Sequence, residues 1–218
     1  MISRLHYITQ DIAGYTHAQL AARACAAGVH WVQLRLKNVS PDHWRQEALD
    51  TQAVCQHYGA KLIINDNVAL AQEIGADGIH LGLQDMSTKE ARKQLGPGMI
   101  IGGTANTFED IQMHAAAGVD YVGVGPFRFT STKEKLSPIL GLEGYQKIIS
   151  RCRAAGITQP LLAIGGVTAA DVPDLLAAGL HGIAVSSVIN KSDNAAAAVQ
   201  ALWQALEEST TTHPFTQA

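Results

Sequence analysis

The sequence predicts an α/β fold made of one closed barrel, and three observations predict it. Short apolar runs alternate with longer helical patterns, giving eight β runs each followed by a helix. The runs are continuously apolar rather than alternating, as expected when a helix layer covers a parallel sheet. A weak repeat also recurs, in which a helix runs to a glycine (Gly28, Gly75, Gly118, Gly179) and a strand starts a few residues later. Glycine at that C′ position adopts φ > 0 without a Cβ penalty. The four copies precede the second, fourth, sixth and eighth runs, a regularity expected of repeated βα units. A doubly wound open sheet also alternates strands and helices, but the repeat and a length of 218 residues favour a single-domain (β/α)8 TIM barrel.

In chain order, the first four candidate strands are Leu5–Thr9, Trp31–Leu36, Lys61–Asp66 and Gly78–Gly82. The other four are Met99–Thr104, Tyr121–Gly125, Leu161–Gly165 and Gly182–Ser186. Amphipathic helices are predicted between them, for instance His17–Ala27, Trp44–Tyr58, Phe108–Ala117 and Ala170–Ala178. Ser40 before Pro41, and Thr107 before Phe108, are N-cap signals. An Ala-rich last helix is expected over about 194–208, the barrel over 1–209, and a frayed, Thr-rich tail over 210–218.

Composition removes several function classes. A formal charge of −3 argues against non-specific nucleic-acid binding, which needs a basic footprint. No apolar run approaches the roughly 20 residues of a membrane span. No signal peptide is legible, since Arg4 and His6 interrupt the N-terminal stretch. The three cysteines are widely spaced and form no C-x-x-C, which suits buried thiols in a reducing compartment; the expected location is cytoplasmic.

In a barrel of this kind chemistry collects at the carboxyl ends of the strands. The second run places Gln33, Arg35 and Lys37 on one face, and two cations there would need anions. Beyond the third run lie Asn65 and Asp66, and beyond the fourth lies Asp85. Either aspartate alone reads as a helix cap. Adjacent strands sit roughly 4.8 Å apart, so the pair can also approach one Mg²⁺, whose usual shell is two carboxylates, waters and substrate phosphate. The sixth run empties into a basic, hydroxyl-rich loop with Arg128, Thr130, Ser131, Thr132 and Lys133, which suits a phosphate or diphosphate. The seventh ends in Gly165-Gly166 and the eighth in Ser186-Ser187, the usual place for a backbone phosphate cradle. Two anion sites at one mouth suit a reaction joining two phosphorylated small molecules.

Taken as an ordered set, Gln33-x-Arg35-x-Lys37, Asn65-Asp66, His80-x-Gly82 with Asp85, Gly125-Pro126 with Thr130-x-Thr132-Lys133, Ile164-Gly165-Gly166-Val-Thr and Ser186-Ser187 resemble the thiamine phosphate synthase family. The resemblance implies a transferase that couples 4-amino-2-methyl-5-hydroxymethylpyrimidine diphosphate to a thiazole phosphate by dissociative substitution. By position it implies that Gln33, Arg35, Lys37, Asn65, Thr104 and Lys133 contact the pyrimidine diphosphate, with Arg35, Lys37 and Lys133 as catalytic cations. Asp66 and Asp85 would ligate Mg²⁺, and Thr130, Ser131, Thr132, Gly166, Ser186 and Ser187 would hold the thiazole phosphate. No catalytic histidine is assigned; the nine histidines read as surface or structural.

The chain departs from the family pattern at Thr104, Asn106, Leu83 and Phe127-Arg128-Phe129. A thiazole tautomerase, which resembles the synthase on the same barrel, is the nearest alternative, but it carries a His where this chain has Pro126. A non-catalytic thiamine phosphate-binding paralogue is the other. The expected partners are small phosphorylated substrates, with neither nucleic acid nor membrane; a homo-oligomer is compatible with the sequence. The loop 127–141 is the candidate lid, by its length.

Overall fold

A computed structural model describes residues 1–130 and 137–211. Eight parallel strands close into a barrel in sequence order, β1 pairing with both β2 and β8. They are β1 (Leu5–Ile8), β2 (Trp31–Leu34), β3 (Lys61–Asn65), β4 (Gly78–Leu81), β5 (Ile100–Ala105), β6 (Tyr121–Val124), β7 (Leu161–Ile164) and β8 (Gly182–Val185). The outer layer runs α1 (His17–Ala26), α2 (Pro41–Tyr58), α3 (Val68–Glu73), α4 (Thr88–Leu95), α5 (Phe108–Ala116), α6 (Gly141–Ala154), α7 (Val172–Ala178), α8 (Ser187–Asn190) and α9 (Ala195–Thr211). The closed-barrel expectation holds, with strand ends within a residue or two of those expected. The described part of the tail is helical to Thr211; residues 212–218 lie outside the described residues.

Local chemistry explains the boundaries. Ser40 accepts from the His43 N–H with Pro41 in the first turn, so α2 starts three residues earlier than its apolar pattern suggests. Thr107 and Asp110 form a reciprocal capping box on α5. The repeat glycines Gly28, Gly75, Gly118 and Gly179 all take positive φ. Two copies of the repeat carry an aspartate after the glycine, and each pins the preceding strand. Asp77 accepts from the Leu62 N–H at 2.9 Å and Asp120 from the Ile101 N–H at 2.8 Å. The expected Ala170–Ala178 helix divides into a 3₁₀ turn, Ala169–Asp171, followed by α7 with Pro173 in its first turn.

Two apolar clusters follow from the pleat. One side of each strand joins the helices in a large shared core. The other side fills the barrel with Trp31, Ile63, Tyr121 and Leu162. His6 stacks on Trp31 at 4.3 Å between ring centroids and meets the Tyr121 ring edge-on at 4.9 Å. Gly102 makes room for that phenol, because a Cβ there would lie 2.5 Å from Tyr121 Cε1. Cys25, Cys55 and Cys152 are buried free thiols. Among the described residues no helix is long and apolar enough to cross a membrane.

Candidate active site

The β2 end carries the expected series outward from the barrel interior. Gln33 is buried inside, Arg35 is half-buried and Lys37 is exposed at the rim. The Arg35 backbone N–H donates to Thr9 Oγ1 at 3.0 Å, which ties this end to β1. The Arg35 guanidinium has no ion-pair partner among the described residues. Lys37 Nζ donates to Asp66 Oδ2 in an ion pair.

Asp66 reaches Lys37 because the chain turns left-handed there, with φ of 66°. Its own N–H donates to the His80 carbonyl at 2.9 Å, and the next N–H, of Asn67, returns to the Asn65 carbonyl at 2.8 Å. Non-glycine residues rarely adopt this region, though Asp and Asn do so more readily than others. Among the described residues Asn38, next to Lys37, is the other non-glycine residue with a positive φ, at 58°. Backbone strain of this kind gathers at sites where a side chain must be aimed.

Asp85 stands against Asp66. Burial, and then the Asp66 carboxylate as hydrogen-bond neighbour and like charge, raise its pKa above the usual carboxylate value; the Gly82 N–H and Lys37 pull the other way. The Gly82 N–H donates to Asp85 Oδ2 at 2.7 Å. The helix-cap reading fails for both aspartates. Asn67 caps α3 by accepting from the Leu70 N–H, and Ser87 caps α4 by accepting from the Glu90 N–H. Both carboxylates are therefore left to face the Lys37 ammonium. Two carboxylates brought together in this way are the donor set that a hard divalent cation satisfies. No group of three or more His, Cys, Asp or Glu side chains suited to a metal occurs among the described residues, so the rest of a metal's shell would come from water and substrate. A cavity of about 430 Å³ opens beside the pair, walled by Lys37, Trp44, Asn65, Asp66 and Met86 among others.

Thr104 sits at the end of β5, half-buried, with its Oγ1 2.9 Å from His80 Nε2. Asn106 donates to the Gly125 and Pro138 carbonyls, each at 2.9 Å, and so ties the start of the β6–α6 connection to its end. Gly125–Pro126 is a cis peptide. Thr130 is described, whereas Ser131, Thr132 and Lys133 lie outside the described residues, as does much of the candidate lid.

Across the barrel, Gly165 and Gly166 take φ of 92° and 69°. A Cβ on Gly165 would meet Pro126 Cβ at 2.7 Å, so glycine lets these two connections touch. Arg128 lies over the turn: it donates to both Asp171 oxygens, at 2.9 and 2.6 Å, and to the Gly166 carbonyl at 3.2 Å. Arg128 and Asp171 are 43 residues apart, so no local pattern shows the pair. Ser186 donates to Gln10 Oε1 at 2.8 Å and accepts from Asn190 Nδ2 at 3.2 Å, leaving its hydroxyl proton committed within the fold. Ser187 opens the one-turn α8. His6, His17, His80 and His114 are buried within the fold.

The family model for thiamine monophosphate synthase matches residues 5–189. The chain belongs to the thiamine monophosphate synthase family. Among its relatives, a thiamine-phosphate synthase of Bacteroides fragilis is 48% identical over 185 residues, 85% of this chain and 91% of that one. One of Flavobacterium johnsoniae is 48% identical over 202 residues, 93% and 95% of the two chains. The thiamine phosphate pyrophosphorylase structure from Pyrococcus furiosus superposes with a TM-score of 0.81 at 27% identity, over 94% of this chain and 96% of that one. In this synthase family member the rim of β2, β3 and β4 gathers Lys37, Asp66 and Asp85.

Proposed function

We propose that this chain is a transferase that joins 4-amino-2-methyl-5-hydroxymethylpyrimidine diphosphate to a thiazole phosphate, forming thiamine phosphate and releasing diphosphate. The observation that carries it is the meeting of Lys37, Asp66 and Asp85 at one rim, beside an Arg35 guanidinium with no ion-pair partner among the described residues. Asp66 and Asp85 would hold Mg²⁺. When bound, the metal offsets charge on a diphosphate, which lowers the barrier to its departure.

The chain's own residues do the remaining work. Arg35 and Lys37 bind diphosphate oxygens from the β2 side; Lys133, outside the described residues, is assigned to the same anion by the family resemblance alone. Because charge on the diphosphate grows as the C–O bond breaks, fixed cations stabilise the transition state more than the ground state. A cation or donor of this type typically contributes about 10²–10³ in turnover. Thr104 and Asn65 face the pyrimidine from the barrel interior. The thiazole phosphate sits across the mouth at Gly166, Ser187 and Thr130; Ser131 and Thr132, outside the described residues, are assigned to it by the family resemblance alone. Ser186, whose proton is committed to Gln10, serves by shaping the β8 end. The thiazole nitrogen that attacks is neutral and needs no general base, so no histidine is assigned to take a proton.

The test is to incubate the protein with both substrates and Mg²⁺ and to quantify thiamine phosphate and diphosphate. Equal yields, dependent on both substrates, are expected. Aromatised thiazole formed without diphosphate release would instead assign the tautomerase activity.

A further inference from the structure

Inside the barrel, below the mouth, polar groups of β2, β4, β5 and β6 form one chain that the coupling reaction itself does not call for. Thr104 Oγ1 is 2.9 Å from His80 Nε2, and His80 Nδ1 is 3.0 Å from the Tyr121 hydroxyl. The Gln33 amide lies against the same hydroxyl. Gln33, His80 and Tyr121 are all at least 94% buried, and only Thr104 is partly open at the top. The His80 ring lies over that of Tyr121, with centroids 5.5 Å apart and planes 29° apart. Gly123 lies beside the ring, where even a Cβ would stand in ordinary contact with His80 Cε1, at 3.4 Å. The imidazole is therefore held from both ends and from its face.

Donor counting gives this part of the network two arrangements, in either of which the Trp31 side chain, which also lies against the Tyr121 hydroxyl, can donate to it. Burial pushes the Tyr121 hydroxyl far above its ordinary pKa, so it keeps its single proton. A neutral imidazole has one N–H and one bare nitrogen. In one arrangement Tyr121 donates to His80 Nδ1, His80 Nε2–H donates to Thr104, and the Thr104 proton is free to point into the mouth. In the other, Tyr121 donates to Gln33, His80 Nδ1–H donates to Tyr121, Thr104 donates to His80, and Thr104 turns a lone pair to the mouth. A change at either end passes through His80, because its two nitrogens cannot both be bare or both carry protons while it is neutral.

From this geometry we propose that His80 is a positioning residue. It fixes the Thr104 hydroxyl and, through its tautomer, matches that hydroxyl as donor or acceptor to the nitrogen edge of the aminopyrimidine ring. The proposal rests on the function above, in which Thr104 faces the pyrimidine. An aminopyrimidine offers bare ring nitrogens and an exocyclic NH₂ side by side, so a hydroxyl of adjustable polarity suits it. The thiazole phosphate, bound across the mouth, should not sense the chain.

The test is a double-mutant cycle on the full-length protein. His80→Asn places an amide near the Nδ1 position and keeps the reach to Tyr121 but not to Thr104; His80→Gln places one near Nε2 and keeps the reach to Thr104. Thr104→Val removes the hydroxyl. Losing one such hydrogen bond typically lowers kcat/KM about tenfold. His80→Asn should do so for the pyrimidine diphosphate while leaving KM for the thiazole phosphate unchanged, and His80→Gln should recover most of the loss. In the Thr104→Val background, His80→Asn should lower kcat/KM less than twofold further, although its effect on the melting temperature persists. Fully multiplicative losses, equal effects on both substrates, or His80→Gln behaving as His80→Asn would each overturn the proposal. Wild-type turnover in the same assay separates the two readings, since its failure would count against the enzyme function and not against the relay alone.

Discussion

Replacing Asp66 by Asn separates what this residue does for the fold from what it does for chemistry. Its ion pair with Lys37 is between side chains 46% and 25% exposed. Solvent screening at such exposure keeps the pair near the low end of about 0.2–1 kcal/mol. The left-handed backbone at 66° suits Asn as well as Asp, so no conformational cost is added. Asp66→Asn should therefore change stability by less than about 1 kcal/mol, a melting shift below about 4 °C for a domain of this size. Ala at the same position would add roughly 1–2 kcal/mol, because its Cβ crowds the carbonyl without a local hydrogen bond in return. Catalysis should respond very differently. Removing one of two carboxylates that face the cation site should lower kcat/KM about 10²–10³-fold and raise the Mg²⁺ concentration needed for half-maximal rate. Calorimetry or circular dichroism gives the melting temperatures, and product formation under varied Mg²⁺ gives the rates. Turnover within about threefold of wild type, or an Asn variant as unstable as the Ala variant, would refute the reasoning.

Other variants probe the scaffold around the site. Gly102→Ala drives a methyl against the edge of Tyr121 and should cost about 1–3 kcal/mol as overpacking, measured by chemical denaturation; an unchanged midpoint would show that the phenol can move aside. Asn106→Ala releases the Gly125 and Pro138 carbonyls and should cost about 1–2 kcal/mol, with a larger proportional rise in KM than fall in melting temperature if it aims the β6–α6 connection. His6 is held well below its ordinary value of 6.5 by burial and then by His80 and His181. Above that pH its imidazole is neutral folded and unfolded; below it only the unfolded chain takes the proton, so stability falls as pH falls, by up to about 1.4 kcal/mol per pH unit. His6→Phe should flatten the melting temperature between pH 6.5 and 5.5 relative to wild type; parallel curves would discharge His6 from that role.

The barrel was legible because each level of the sequence agreed with the next. Apolar runs announced buried parallel strands, and the glycines of the repeat took the positive φ expected of them. Ser40 and Thr107 capped α2 and α5 as their side chains suggested. The rim was legible for a simpler reason: Lys37, Asp66 and Asp85 lie within four residues of the ends of β2, β3 and β4, and neighbouring strands bring their ends together. What stayed hidden depends on distance along the chain or on backbone geometry. The left-handed turn that aims Asp66 has no glycine to announce it. Arg128 meets Asp171 only after two strand connections pack together, and neighbouring positions give no hint of it. The His80–Tyr121–Thr104 chain joins three strands through the barrel interior. Its one sequence signal was parity, since His80 alternates on β4 with Ile79 and Leu81, which join the core shared with the helices.

The most direct measurement concerns the two aspartates. In crystals grown with Mn²⁺ and inorganic diphosphate, anomalous scattering should reveal a metal bound by both Asp66 and Asp85, with diphosphate between it and the Arg35 and Lys37 side chains. A metal bound elsewhere, or diphosphate seated away from Arg35 and Lys37, would contradict the proposed chemistry.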